Sequence, residues 1–163
     1  MKTLLLLRHA KSSRDDSTLN DFDRPLNDRG KDDAKLMGRW LGRQQIVLDA
    51  VISSPAKRAR QTMEIFLKAA DVSLAASFDE RIYEAGLQQL LTIVSEIDSS
   101  RNTVLLIGHN PGFEDLAESL TGQHSRLATA ALAGIELTVE EWRDVRLRVG
   151  KLRLLVTPKE LRN

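Results

Sequence analysis

Short apolar runs that stop abruptly at polar residues limit the fold of this chain more than any other feature of its sequence. Residues 3–7 form such a run and end at Arg8 and His9, and residues 103–107 end in the same way just before His109. Continuous apolar runs of this length are typical of strands that are covered on both faces of a sheet. Because segments with helical spacing of apolar residues follow them, the sequence predicts a mostly parallel sheet with helices on both faces.

The segments between these runs carry signals for helices and further strands. Two helices are predicted to begin at a polar cap followed by proline, at Ser54-Pro55 and at Asn110-Pro111. The other predicted helices cover residues 28–44 and 87–97, and the other predicted strands cover residues 49–52, 75–78, 130–139 and 151–157. Residues 10–27 form a long polar connection, and connections of this length are often functional.

Composition excludes several classes of protein. The 163 residues suffice for one domain, 1–163, of the α/β class with a three-layer α/β/α arrangement. The 24 Lys and Arg nearly balance the 23 Asp and Glu, which argues against a nucleic-acid binder, and the absence of cysteine excludes a thiol nucleophile. Uninterrupted apolar runs reach only four residues, as at 4–7, which is too short for a membrane span or secretory signal, so we expect a soluble cytoplasmic protein without membrane partners.

Basic residues and histidines follow the ends of three predicted strands. Arg8 and His9 follow the first strand, Arg58 lies in the first helical turn after the second, and His109 and Asn110 follow the run at 103–107. Ligands of open α/β sheets bind beyond the carboxyl ends of the strands, where helix N-termini also favour anions. Arginines bind phosphate with planar geometry, and a neutral imidazole can attack phosphorus. The pattern therefore predicts a phosphoryl-transfer site.

Four motifs in these regions resemble those of the histidine phosphatase (phosphoglycerate-mutase-like) superfamily, in the same order. They are Leu7-Arg8-His9-Ala10-Lys11-Ser12, Pro25-Leu26-Asn27-Asp28-Arg29-Gly30, Ser53-Ser54-Pro55-Ala56-Lys57-Arg58-Ala59-Arg60-Gln61-Thr62 and Gly108-His109-Asn110-Pro111. The C-terminal part is similar to the SixA-type phosphohistidine phosphatase branch. The resemblance implies a phosphoglycerate-mutase-like fold and a phosphatase without cofactor or metal.

The same resemblance implies a role for each matching residue. His9 would be the nucleophile that becomes phosphohistidine, Arg8 and Arg58 would bind the phosphate, and His109 would support the transition state. Ala10 stands where the family usually has glycine, which is tolerable if the backbone there does not need a positive φ.

Three further positions match less specific parts of the family pattern. Ser12 and Asn110 would add phosphate contacts, and Glu84 would be the general acid, although Glu80 lies close enough to leave that assignment open. Asp15 and Asp16 lack a spaced partner and give only a weak signal for metal binding.

The substrate class is narrowed by the spacing between Glu84 and His109, which leaves room for one helix and one strand. The sequence lacks the long insertions by which mutases of the superfamily close over a small substrate, so we expect an open site. Phosphohistidine on a protein is the favoured substrate. A small-molecule phosphomonoesterase and a non-catalytic phosphate-binding module are the alternatives.

Overall fold

A six-stranded mixed sheet forms the centre of the computed structural model, which describes residues 1–163. Its strands are β1 (Lys2–Arg8), β2 (Ala50–Ser53), β3 (Ser77–Phe78), β4 (Thr103–Gly108), β5 (Leu132–Leu137) and β6 (Gly150–Val156). They lie in the order β3-β2-β4-β1-β5-β6. The pairs β3–β2, β2–β4 and β4–β1 are parallel, whereas β5 and β6 add antiparallel pairs at one side.

Helices cover both faces of this sheet. They are α1 (Asp28–Gly42), α2 (Lys57–Ala69), α3 (Leu87–Ser95), α4 (Gly112–Thr121) and the short α5 (Pro158–Arg162). Met37 of α1 and Phe66 of α2 belong to one apolar cluster, and Leu90 of α3 and Phe113 of α4 belong to a second cluster. The two clusters account for the complete burial of residues 4–7. The predicted three-layer α/β/α fold with a mostly parallel sheet is confirmed.

Several predicted boundaries are wrong by one to three residues. Helix α2 begins at Lys57 rather than at Pro55. The Ser54 hydroxyl accepts the Ala56 amide N–H, and this hydrogen bond closes a turn that precedes the helix. Helix α4 begins at Gly112, and the Asn110 side chain donates to the Leu127 carbonyl instead of capping it. The predicted strand 75–78 retains only its last two residues, both exposed at the sheet edge.

The remaining elements differ from the predicted ranges by one or two residues, and one helix was not predicted. Helices α1 and α3 and strand β5 are shorter than predicted, and β6 begins and ends one residue earlier. Helix α5 had not been predicted; the Thr157 hydroxyl caps it and Arg162 forms an ion pair with the buried Asp33 of α1. No helix is long and apolar enough to cross a membrane.

The long connection 10–27 is tied to the body of the fold at both ends. Ser12 and Leu26 form an isolated antiparallel bridge, and Asp21–Asp23 form one turn of 3₁₀ helix that Asn20 caps. A Cβ atom at Gly30 would lie 2.1 Å from the Lys11 carbonyl oxygen, so the close approach of the connection to α1 requires glycine there.

Candidate active site

The pairing of β1 with β4 places the two predicted catalytic histidines next to each other. Arg8 is in register with Gly108, so the residues that follow, His9 and His109, leave the sheet side by side. Their ring centroids are 5.1 Å apart, with 52° between the ring planes. The carboxyl ends of two parallel strands thus bring together residues that are far apart in the sequence.

His9 is held as a neutral imidazole with one defined tautomer. Its Nδ1 lies 2.8 Å from the Ala10 carbonyl oxygen, which can only accept, so Nδ1 carries the proton and Nε2 keeps its lone pair. Burial lowers the pKa of His9 to about 4, and the charges of Arg58 and Arg8 lower it in the same direction. The backbone of Ala10 does not adopt a positive φ, so alanine is accommodated in place of glycine.

His109 is oriented by a serine hydroxyl from the neighbouring strand end. Its Nε2 lies 2.8 Å from Ser54 Oγ, and Ser54 Oγ also accepts the Ala56 amide N–H at 3.2 Å. The serine hydroxyl has one proton to donate, and the lone pair of Nε2 can accept it. This would leave the ring proton of His109 on Nδ1. Nδ1 is buried and has no partner. Burial lowers the pKa of His109 to about 3, with further lowering from His9 and Arg58.

The partly buried Arg8 and the buried Arg58 lie beside the histidines, each with an unused donor. Arg8 Nη1 donates to the Leu127 carbonyl at 2.9 Å, whereas Arg58 donates through Nη1 and Nη2 to Asp21. The Nε atoms of both arginines are buried and lack a hydrogen-bond partner. Unpaired buried donors cost free energy, and a cluster of them is typical of a site that a ligand completes. Here the donors are cationic, so the arrangement suits an anion.

The less specific predicted contacts are placed at the border of this group. Ser12 Oγ accepts from Arg24 Nη1 at 2.6 Å, so this hydroxyl is linked to a third arginine. Asn110 donates to the Leu127 carbonyl, as Arg8 does, and its Oδ1 is buried without a partner. Glu84 is exposed and has a φ of 58°, an uncommon conformation for a non-glycine residue that often marks functional sites.

Sequence reasoning missed a cluster formed by Asp21, Arg24 and Tyr83. The Tyr83 hydroxyl donates to Asp21 Oδ2 at 2.6 Å, and Arg24 Nη2 donates to Asp21 Oδ1 at 3.0 Å. Hydrogen bonds from Tyr83 and from the two arginines hold the pKa of the Asp21 carboxyl well below its usual range. The Tyr83 ring meets the His109 ring edge-on, with centroids 5.6 Å apart, so the cluster adjoins the histidines.

Other features of the surface lie away from this group. A cavity of about 450 Å³ is lined by residues such as Leu87, Glu118 and Arg148 and includes neither histidine of the site. No group of three or more His, Cys, Asp or Glu side chains is arranged to hold a metal ion. His124 is exposed and lies 3.9 Å from Glu118, apart from His9 and His109.

Residues 4–133 match the sequence profile of the histidine phosphatase superfamily, branch 1. That range contains all four motifs and both histidines of the site. The chain belongs to the histidine phosphatase superfamily. The resemblance first indicated by the motifs is therefore confirmed.

Relatives and solved structures agree with this membership. An uncharacterised chloroplastic protein of Arabidopsis thaliana is 31% identical over 172 aligned residues, which cover 96% of this chain and 78% of the relative. The protein histidine phosphatase SixA complexed with tungstate has the same fold, with a TM-score of 0.85, 23% identity and coverage of 98% and 99% of the two chains. A candidate phosphohistidine phosphatase SixA from Nakamurella multipartitia is 27% identical, with a TM-score of 0.82 and 96% of each chain covered. The chain is thus similar to the SixA-like branch.

Proposed function

We propose that this protein is a phosphatase that works through a phosphohistidine intermediate on His9 and removes phosphate from phosphohistidine on another protein. The observation that carries the proposal is the state of His9. Its Nδ1 proton is committed to the Ala10 carbonyl, burial keeps the ring neutral, and Nε2 keeps a lone pair beside two arginines with unpaired Nε donors. A neutral imidazole next to an anion site is suited to attack phosphorus.

In the first step, His9 Nε2 attacks phosphorus and forms a P–N bond while the bond from phosphorus to the substrate's leaving nitrogen breaks. Arg8 and Arg58 would donate from Nε to the phosphoryl oxygens, and His109 would donate from Nδ1. These groups are buried, so their interaction with the charge that develops on the oxygens is stronger than in water. The leaving imidazole takes up a proton from water or from a carboxyl group at the site, such as Glu84, which returns it to neutral histidine, and His9 stays cationic until its P–N bond breaks.

In the second step, water attacks phosphorus and the P–N bond to His9 breaks. The bonding pair returns to Nε2, His9 becomes neutral again, and inorganic phosphate leaves as dihydrogen phosphate, which keeps both protons of the water. The same arginines and His109 would hold the oxygens, because both steps pass through similar phosphoryl-transfer geometries. Neither step requires a metal ion, and we propose that none is used.

The proposed substrate class is supported by the shape of the chain around Glu84. Only α3 and β4 lie between Tyr83 and His109, so no long insertion there covers the site. A site without such an insertion suits a phosphorylated side chain that a second protein presents. Imidazole is also a better leaving group than an alkoxide, and it needs less help from a general acid. The likeness to proteins named for SixA supports the same choice.

A small phosphomonoester is the second candidate substrate. Glu84 favours it, because an exposed carboxyl group next to Tyr83 can supply the proton that an alkoxide leaving group needs. Glu80, in the short helical turn before Tyr83, remains the other possible donor.

The proposal is tested by phosphate release from a phosphohistidine-bearing protein, an aryl phosphate and a panel of sugar phosphates, each with EDTA present. We expect EDTA-insensitive turnover by the wild type that is fastest on phosphohistidine and is lost in His9→Ala. A preference for a sugar phosphate supports the second candidate. Phosphate binding without any turnover by the wild type would instead indicate a non-catalytic binding module.

A further inference from the structure

The carboxylate of Asp21 bridges three side chains at the border of the site. Its Oδ2 accepts from Arg58 Nη2 at 2.9 Å and from the Tyr83 hydroxyl at 2.6 Å, and its Oδ1 accepts from Arg24. The backbone carbonyl of Asp21 accepts from Arg58 Nη1 at 2.7 Å. One residue of the long connection 10–27 therefore engages both terminal nitrogens of Arg58.

These contacts fix the orientation of Arg58 without using all of its donors. A guanidinium has five N–H donors in one rigid plane, so holding its two terminal nitrogens fixes the direction of its Nε–H as well. Arg58 Nε is the donor that remains buried and unpartnered. The Arg58 side chain is 7% exposed whereas that of Asp21 is 52% exposed, so the carboxylate approaches from the solvent side.

We propose that Asp21 is a positioning residue that holds the guanidinium of Arg58 in the plane in which its Nε–H meets a phosphoryl oxygen. This inference rests on the proposed function, in which Arg58 binds the phosphoryl group. Asp21 touches Arg58 and not the reacting atoms, so it acts through Arg58. The 3₁₀ turn at Asp21–Asp23 then positions both the backbone carbonyl and the carboxylate of Asp21 against the guanidinium of Arg58.

The contact between Asp21 and Arg58 also allows the opposite effect on phosphate binding, which has to be tested. Asp21 could compete with phosphate for Arg58, in which case removing it would strengthen phosphate binding. Positioning and competition therefore predict changes of opposite sign. The free Nε donor favours positioning, because the phosphoryl group can use a donor that Asp21 leaves unoccupied.

The test compares Asp21→Ala and Asp21→Asn with Asp23→Asn, which removes a neighbouring exposed carboxylate that forms no side-chain hydrogen bond. The readouts are the affinity for inorganic phosphate and for orthovanadate by calorimetry, and kcat and KM on an aryl phosphate. We expect Asp21→Ala to weaken phosphate binding about tenfold, the typical effect of a charge-assisted hydrogen bond, and to lower kcat/KM at least as much. The phosphate affinity and kcat/KM of Asp21→Asn should lie between those of Asp21→Ala and the wild type, and those of Asp23→Asn should match the wild type. Thermal unfolding of each variant shows whether it is folded.

The same comparison in the Arg58→Ala background separates positioning from a general structural role. If Asp21 acts through Arg58, adding Asp21→Ala to Arg58→Ala changes phosphate affinity less than about twofold, because coupled residues are not additive. Equal effects in both backgrounds, tighter binding in Asp21→Ala, or no change would each overturn the inference. If the wild type neither binds phosphate nor releases it from any substrate, the proposed function fails instead.

Discussion

Two groups of side chains meet at this site and differ in what holds them. The strand-end group, consisting of Arg8, His9, Ser54 and His109, lies directly on or beyond the paired strands β1, β2 and β4. The loop group, consisting of Asp21, Arg24 and Tyr83, is held by hydrogen bonds between side chains of distant segments. Arg58 belongs to neither group, but its terminal nitrogens bind the loop group and its Nε is left free.

This difference predicts separate functional roles for the two groups. Sheet register fixes His9, the proposed nucleophile, and the partly buried His109 at the strand ends, where a small displacement would disturb backbone pairing. The loop group is more exposed and depends on ionised side chains, so it can change without loss of the sheet. We therefore expect substitutions in the strand-end group to affect the chemical step and substitutions in the loop group to affect phosphate binding.

Among variants that keep His9, the largest effects are expected at Arg8, which belongs to the strand-end group, and at Arg58, which joins the two groups. Arg8→Ala and Arg58→Ala should each lower kcat/KM by about 10²–10³-fold, as the loss of one preorganised donor to a developing oxyanion usually does. Steady-state kinetics on an aryl phosphate measure this loss. Only Arg58→Ala also releases the Asp21 segment, so limited proteolysis within residues 14–24 should be faster in Arg58→Ala than in Arg8→Ala. Equal rates of proteolysis in the two variants would contradict this distinction between Arg8 and Arg58.

A smaller and substrate-dependent effect is expected at Glu84. Glu84→Gln should slow an alkyl phosphomonoester by about tenfold, less than the roughly 10²–10⁴-fold typical of general acid catalysis because Glu84 is exposed to water, and should affect a phosphoramidate far less. Glu80→Gln is the matched control, because it removes the other exposed carboxyl group of the same segment. Equal slowing of both substrate types by Glu84→Gln would count against a proton-donating role.

A comparable effect within the strand-end group is expected at Ser54. Ser54→Ala removes the hydroxyl that meets His109 Nε2 at 2.8 Å, so His109 loses its orientation and kcat should fall about tenfold. Ser53→Ala is the control, since the Ser53 hydroxyl is equally buried but donates to the Ser54 carbonyl. A fall in kcat of the same size in both variants would show that the effect comes from packing of the strand end.

A separate effect, on stability rather than on rate, is a pH dependence that comes from the strand-end histidines. Burial lowers the pKa of His9 to about 4 and that of His109 to about 3, whereas unfolded histidine titrates near 6.5. Below pH 6.5 the unfolded chain binds protons that the folded chain does not, so stability falls as the pH is lowered. The contribution of His9 should be on the order of 2 kcal/mol by pH 4.5. Urea unfolding at pH 7 and pH 4.5 should show a smaller loss in His9→Asn than in the wild type, and parallel losses would contradict the prediction.

The strand-end group could be predicted from the sequence because simple rules place its members. A buried apolar strand such as residues 3–7 must end where polar residues begin, and parallel strands end at the same edge of the sheet. Those rules located Arg8, His9 and His109, and the motif after β2 located Arg58. They also predicted the fold class, because the alternation of strands and helices leaves few arrangements.

The loop group could not be predicted because its contacts depend on tertiary approach. Asp21 lies in a connection with several aspartates, and nothing in the local sequence distinguishes it from Asp15, Asp16 or Asp23. Its partner Tyr83 is 62 positions away, and no periodic pattern links the two segments. The predicted helix starts at the prolines are wrong for a similar reason: the local sequence indicates Ser54 and Asn110 as caps, whereas their side chains contact His109 and the Leu127 carbonyl.

The covalent state of His9 during turnover tests the central claim most directly. The wild type would be mixed with a phosphohistidine-bearing protein, quenched with alkali within the first turnovers and digested for mass spectrometry, with His9→Asn as the control. We predict a phosphoryl group on Nε2 of His9 that appears before free phosphate accumulates and is absent from the variant. Continued turnover with no phosphorylated His9, or with the phosphoryl group on another residue, would contradict the account.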